Sequence, residues 1–521
     1  MKLKLCLIFI MAFIIGCTKI SINDADSHTQ IPTPQDTKFF DETQRAVLGD
    51  TLEIPYTIEN MKRAFESLQM QTKTGTEVDE IIITTHYYIK VTMKNDQEYD
   101  FMFNLGIGLF FLPLEIDVIK GGFIDNEGNP DGTIIRYCVV PVKLIEEIKR
   151  NNIEYEMISE LFMPDEESDL ITKNGNSYSV SFIEELVREA YIITNNQDWF
   201  ANYEETLLTK SYTPHGRIRY KDYLVNGDST IIGMEGLTVK AIRLTKTAEG
   251  ICDKNGYYTC DKTFKYKWKY ETSFERYDFL VRNGESGTFA YVSEKTTSPW
   301  SFTISDSHSK GHFMATVFRA CHRYYYGDIH GLKRPPQNSF WKAQMKIAAI
   351  FEYDPEGIYG TTNMSRRFLG IGNPIKIYKD SSVVNLFDTT IHELCHASHW
   401  NHSKDQYGTR TDEMKKVRES LANGIAGYIT SLLYPGWTGL NYGSDKYYTH
   451  IIDDLIDTNT SPAKYGKKAP YDKVEGYSIK QIEDAVVGVE STNEWKQNLY
   501  TIDSSNSTRV YLTELFDIWF N

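Results

Sequence analysis

The stretch Asp388-Thr-Thr-Ile-His392-Glu393-Leu-Cys-His396-Ala-Ser-His399-Trp-Asn-His402 decides how the rest of the chain is read. Its spacing predicts a helix, on which residues four apart share one face. Ile391, Leu394 and Cys395 supply apolar cover. His392 and His396 can then reach one ion, the H-E-x-x-H spacing of zinc ligation. Glu393 lies beside them, where a carboxylate can take the proton of a water activated at the ion. Asp388 is the expected N-cap. Thr390 and Glu393 also fit a capping box, which would make Glu393 a helix-end residue, but the downstream sequence argues against it.

Two histidines and a water leave tetrahedral zinc one ligand short. His402 stands six residues after His396, the metzincin spacing. That pattern needs a glycine where this chain has His399, and a methionine turn further on. The last methionine here is Met414, inside a charged helical stretch. Glu413 is another candidate. Glu419 is the preferred one. Met414, Val417, Leu421, Ile425, Tyr428, Ile429 and Leu432 form a helical stripe, and Glu419, Asn423, Ala426 and Thr430 lie opposite it. No residue from Ser420 to Gly443 is charged, so both faces of this helix are expected to be covered. A covered carboxylate needs a partner, and a metal ion is one. Asn423, one turn further on, can orient a ligating imidazole. His399 is read as a surface residue.

The arrangement resembles the gluzincins, zinc peptidases with H-E-x-x-H on one helix and a ligating glutamate on the next. Their glutamate is often followed four residues later by an aspartate, a place Asn423 holds here. The resemblance implies a mainly helical zincin-like metallopeptidase domain over 291–521, with one zinc per chain. It implies amide hydrolysis with Glu393 as general base, and a tyrosine or histidine that stabilises the developing oxyanion. Tyr428, Tyr442, Tyr448 and His450 are the candidates for that role. The chain also resembles lipoproteins of Gram-negative gut bacteria. Thr84-Thr-His-Tyr-Tyr88, Tyr324-Tyr-Tyr-Gly327, His392–Trp400, Glu419-Ser-Leu-Ala-Asn423 and Gly476-Tyr477 carry that likeness.

Further out, Ser478 and Gln481 fit a capping box before a helix. Asp453, Asp454 and Asp457 read as an acidic solvated helix face. Over 213–290 the pattern turns β. Phe264 to Tyr270 alternates aromatic and lysine, with period two. Gly236-Leu-Thr-Val-Lys-Ala241, a turn at Asp253–Gly256 and Tyr257-Tyr258 together resemble a carboxypeptidase-regulatory-like β-sandwich, a module that implies a spacer or binding role. Cys252 and Cys260 flank that turn, and either a disulfide or two buried thiols would suit them. Residues 49–210 mix strands, such as 81–85 and 87–91, with helices, and form an α+β domain of unassigned role.

The fold class expected is therefore multidomain: an α+β N-terminal domain, a small β-sandwich, then the helical domain. Residues 18–48 read as a flexible tether. Residues 1–17 read as a signal peptide, with Lys2 and Lys4 before an apolar run too short to span a bilayer. The run ends Ile14-Ile15-Gly16-Cys17, which resembles a lipobox and implies lipidation of Cys17. Thr18 follows instead of aspartate, which points to the outer membrane. The expected place is the cell envelope, with membrane contact through the lipid.

Composition agrees with a soluble, folded chain. Of 521 residues, 41% are hydrophobic and 24% charged. A net charge of −15 argues against nucleic acid as partner. The expected partner is a peptide or protein substrate. Two competing readings are a non-catalytic binding or assembly lipoprotein with a structural or relic zinc site, and an amidase acting on cell-wall peptide. Glu393 counts against the first, since a structural site has no use for it.

Overall fold

The computed structural model describes residues 40–72, 82–129, 131–164, 170–171, 177–178, 180–200, 211–339, 343–369, 372–408, 410–440, 446–457 and 472–520. The signal peptide, Cys17, Tyr442 and Ile81 lie outside these residues. The chain combines helices with several sheets and is α+β and multidomain in character.

The first residues described are already packed. Phe40 meets Trp300 and Phe302 at ring distances of 5.2 and 4.7 Å. Glu42 Oε1 accepts the backbone amides of Ser305 and Asp306. The stretch expected to be tether thus docks from residue 40, and a strand begins at Val47. Beyond it, His86–Met93 pairs between Ile134–Pro141 and Glu154–Leu161 in an antiparallel sheet. Residues 82–85, expected to be strand, are irregular. Asn95 caps the helix Asp96–Asn104 (α1), accepting the amide of Glu98.

Between 211 and 304 two sheets face each other. One holds 215–223, 229–233, 257–259 and 300–304; the other holds 238–243, 246–251, 269–273, 288–292 and 122–126. Tyr270 stacks on Trp300 at 5.4 Å, and Tyr291 meets Phe302 at 5.0 Å, so aromatic rings fill the space between the sheets. Phe264, Tyr266, Trp268 and Tyr270 are all buried, as their period-two spacing requires, although regular strand begins only at Lys269. The Asp253–Gly256 turn is formed, with Gly256 at φ 84° donating to Asp253 O. Cys252 and Cys260 are free, buried thiols, which burial pushes up to about 12.

The sheet that positions the site takes one strand from before residue 291. Phe279–Asn283 (β1) pairs in parallel with Met345–Ile350 (β2). Gly360–Thr362 (β3) lies at the edge, antiparallel to Ile375–Tyr378 (β4), and β4 runs parallel to β2. Helix Lys310–Tyr326 (α2) is capped by Ser309 and packs beside helix Val383–Tyr407 (α3). α3 packs in turn against Asp412–Ser431 (α4). A single apolar core runs from Ile218 to Phe520, through the aromatic sheets and all three helices.

Candidate metal centre

α3 begins earlier than its sequence suggests. Ser382 Oγ accepts the amide of Asn385, and the helix starts at Val383. Asp388 is therefore not an N-cap but a buried mid-helix residue, with Trp437 Nε1 donating to Oδ1 at 2.8 Å. Burial pushes its carboxyl up to about 6, against the pull of Trp437 and His392. Thr390 is mid-helix too, its hydroxyl donating to Leu386 O, so no capping box involves Glu393.

α4 is capped by Thr411, which accepts the amide of Met414. Both of its faces are covered: Met414, Val417, Leu421, Ile425 and Ile429 are buried, and so are Ser420, Asn423, Ala426 and Thr430. Glu419 is 17% exposed, at the crossing with α3. Close approach of the helix Ile451–Ile456 depends on Gly424, where a Cβ would come within 2.5 Å of Ile452.

Three ligand atoms converge at this crossing. His392 Nε2 and His396 Nε2 are 3.1 Å apart. Glu419 Oε2 lies 3.6 Å from the first and 3.2 Å from the second. Bonds of about 2.0–2.1 Å at the tetrahedral angle separate two zinc ligands by about 3.3 Å, so the three atoms already stand at the spacing a zinc ion imposes. Among the described residues this is the one group of three such side chains with that convergence. Burial would raise the Glu419 carboxyl, but His396 and His392 beside it hold it well below the usual carboxylate range. Burial would likewise lower the His396 imidazole, but Glu419 outweighs it and raises it. The site is built for positive charge, and these residues fit a metal cation.

The other candidates fall elsewhere. His402 Nε2 faces Arg334 O at 3.3 Å. Glu413 pairs with Lys416 at 2.8 Å and accepts the Thr492 hydroxyl. His399 is not at the surface: it is buried, meets the Tyr407 ring edge-on at 5.1 Å, and burial holds it down at about 3. Asn423 Nδ2 donates to Thr449 O at 3.1 Å, and the expected bond to an imidazole is not formed. Tyr428 bonds His330 Nδ1 at 2.6 Å, and His450 faces Asp453 at 3.3 Å. Of the two candidate tyrosines among the described residues, Tyr448 is the one beside the ligands, its ring 6.1 Å from that of His392.

Glu393 faces the edge strand β3. Thr362 Oγ1 donates to Glu393 Oε2 at 2.6 Å and lies 3.0 Å from the Glu393 main-chain oxygen. Tyr378 N donates to Tyr359 O, and Asn363 N to Pro374 O. By antiparallel alternation, Gly360 and Thr362 between them turn their amides and carbonyls to the open edge. Sequence reading missed this strand, since three residues carry no readable period. The chain matches no protein-family model, no curated protein and no solved structure.

Proposed function

We propose that this chain is a membrane-anchored zinc metallopeptidase of gluzincin type, with His392, His396 and Glu419 holding the ion and Glu393 as general base. One observation carries the reading: the three ligand atoms converge at 3.1–3.6 Å while Glu393, next to His392 in the chain, is held against the edge strand β3 by Thr362. Zinc bound there supplies a Lewis acid that polarises a carbonyl and makes a water nucleophilic near neutral pH. The chain's residues do the rest. Thr362 holds Glu393 Oε2, leaving Oε1 to take the water proton and return it to the leaving amine. The outward amides and carbonyls of Gly360 and Thr362 suit an extended peptide, which would add as a further strand and bring its backbone past Glu393. Tyr448 is the proposed oxyanion partner. Lipidation at Cys17 would fix the enzyme to the cell envelope, with substrates outside the cytoplasm. Among the described residues no helix is long and apolar enough to cross a membrane.

Metal content and hydrolysis of casein, mucin and peptidoglycan by the chain from residue 18 test this. About one zinc per chain is expected, lost in Glu419→Ala. Hydrolysis should vanish in Glu393→Ala with zinc retained. Zinc kept by Glu419→Ala would reject the ligand set. Bound zinc without hydrolysis would favour the non-catalytic lipoprotein, and cleavage confined to peptidoglycan would favour the amidase.

A further inference from the structure

The edge strand β3 and the base Glu393 are built as one unit. Gly360 and Thr362, two residues apart on a strand, share one face. That face looks at Glu393. At Gly360 a Cβ would come within 2.7 Å of Glu393 Cγ and 2.8 Å of Oε1, so the missing side chain is the space the carboxylate fills. At Thr362 the hydroxyl oxygen has two acceptors in reach, Glu393 Oε2 at 2.6 Å and the Glu393 main-chain oxygen at 3.0 Å.

A threonine hydroxyl carries one proton and can also accept. With Glu393 ionised, the proton points to Oε2 in a charge-assisted bond, the stronger of the two choices. When Oε1, the oxygen left free, takes a proton, Oε2 is still an acceptor, and the Thr362 hydroxyl keeps donating to it. A hydroxyl so placed holds the same carboxyl oxygen throughout without moving it.

We infer that Thr362 is a positioning residue for the general base, holding the Glu393 carboxyl in its reacting orientation. This rests on the peptidase reading of Glu393. It also explains why the site abuts this strand: the residues that would pair with substrate are the ones that hold the base.

Thr362→Val keeps the β-branched shape and removes the hydroxyl; Thr362→Ser keeps the hydroxyl. Zinc-loaded chains from residue 18 are compared for zinc content, kcat and KM on casein-derived peptides, and Tm. Thr362→Val should lower kcat about 10- to 100-fold with KM and zinc content unchanged, a part of the full general-base contribution. Thr362→Ser should restore kcat to within about threefold of wild type. The Tm loss from Thr362→Val should appear with Glu393 present and vanish in the Glu393→Ala background, as for directly coupled groups. A Thr362→Val enzyme with wild-type kcat, or with only KM raised, overturns the role of Thr362 and leaves the peptidase reading standing. A coupled pair by Tm in a wild-type chain that hydrolyses nothing overturns the peptidase reading and the positioning role with it.

Discussion

Glu393 has so little room that one methyl group is a fair probe of it. Gly360→Ala would place a carbon inside 3 Å of the carboxylate, closer than real contacts allow, and either the strand or the base must shift. The three atoms nearest a Cβ at Gly360 all belong to Glu393, so metal content should hold while kcat falls about tenfold or more, since misplacing a reacting group by an ångström can cost about 100-fold. Equal kcat in Gly360→Ala and wild type would show that the carboxylate works from another position. Tyr448 invites a different test. Its ring lies against His392, and a phenol hydroxyl there can donate to charge developing on a substrate carbonyl. Tyr448→Phe keeps the ring and should cost about 100-fold in kcat with little change in KM, the usual loss of one oxyanion donor. A loss confined to KM would assign the tyrosine to ground-state binding.

Among the elements, the helix Ile451–Ile456 shows how burial changes the meaning of an acidic run. Asp453, Asp454 and Asp457 look solvated in sequence, yet Asp454 is fully buried and accepts Trp519 Nε1 at 2.7 Å. Burial, reinforced by Asp472, Asp453 and Asp457 and opposed by Trp519, raises its carboxyl from an ordinary 3.8 to about 8. Between those values the folded chain keeps a proton that the unfolded chain has lost. The contribution to stability is complete below about pH 4 and disappears as pH rises through about 8. Asp454→Asn keeps an acceptor for Trp519 and removes the titration. Its Tm should gain on wild type steadily between about pH 5 and pH 8, and parallel curves would contradict the assignment. The same contrast explains what could be read beforehand. The stripe on α4 and the Ser478–Gln481 capping box are local, and the structure has both, the capping box with reciprocal bonds. The spacing of His392 and His396 is local as well. Asp388 misleads because an aspartate a turn before a motif looks like a cap, and only Trp437, distant in sequence, reveals it as buried. β3 and Thr362 owe their place to pairing with β4 and to contact with α3, which no short window displays.

Across the whole molecule, the stretch 49–210 is tied to the site-bearing sheet by charge and to the neighbouring aromatic sheet by strand pairing. Strand 122–126 completes the sheet of 288–292, far from it in sequence. α1 lies over β1 and β2: Asp96 pairs with Arg282, and Asp100 with Lys346 at 2.7 Å, all four side chains buried. Arg243 sits 4.4 Å from the Tyr266 ring centroid and donates to Tyr56 OH, joining the aromatic sheets to the same N-terminal part. Buried pairs of this kind are weak sources of net stability, but removing one partner strands the other charge without water. Asp100→Ala should therefore cost about 3–5 kcal/mol in urea unfolding, while Asp100→Ala with Lys346→Met should recover most of that loss. Burial already lowers Lys346, with Asp100 as the charge that opposes it, which is why the single change is the harsher one. A chain starting at residue 213 would leave Arg282 and Lys346 without their carboxylates, uncover the face that α1 lies over and lack the strand beside 288–292. Such a chain should lose cooperative unfolding and bind no zinc stoichiometrically. Recovery of a cooperative, zinc-binding 213–521 fragment would show instead that the N-terminal part rests on a sheet that folds without it.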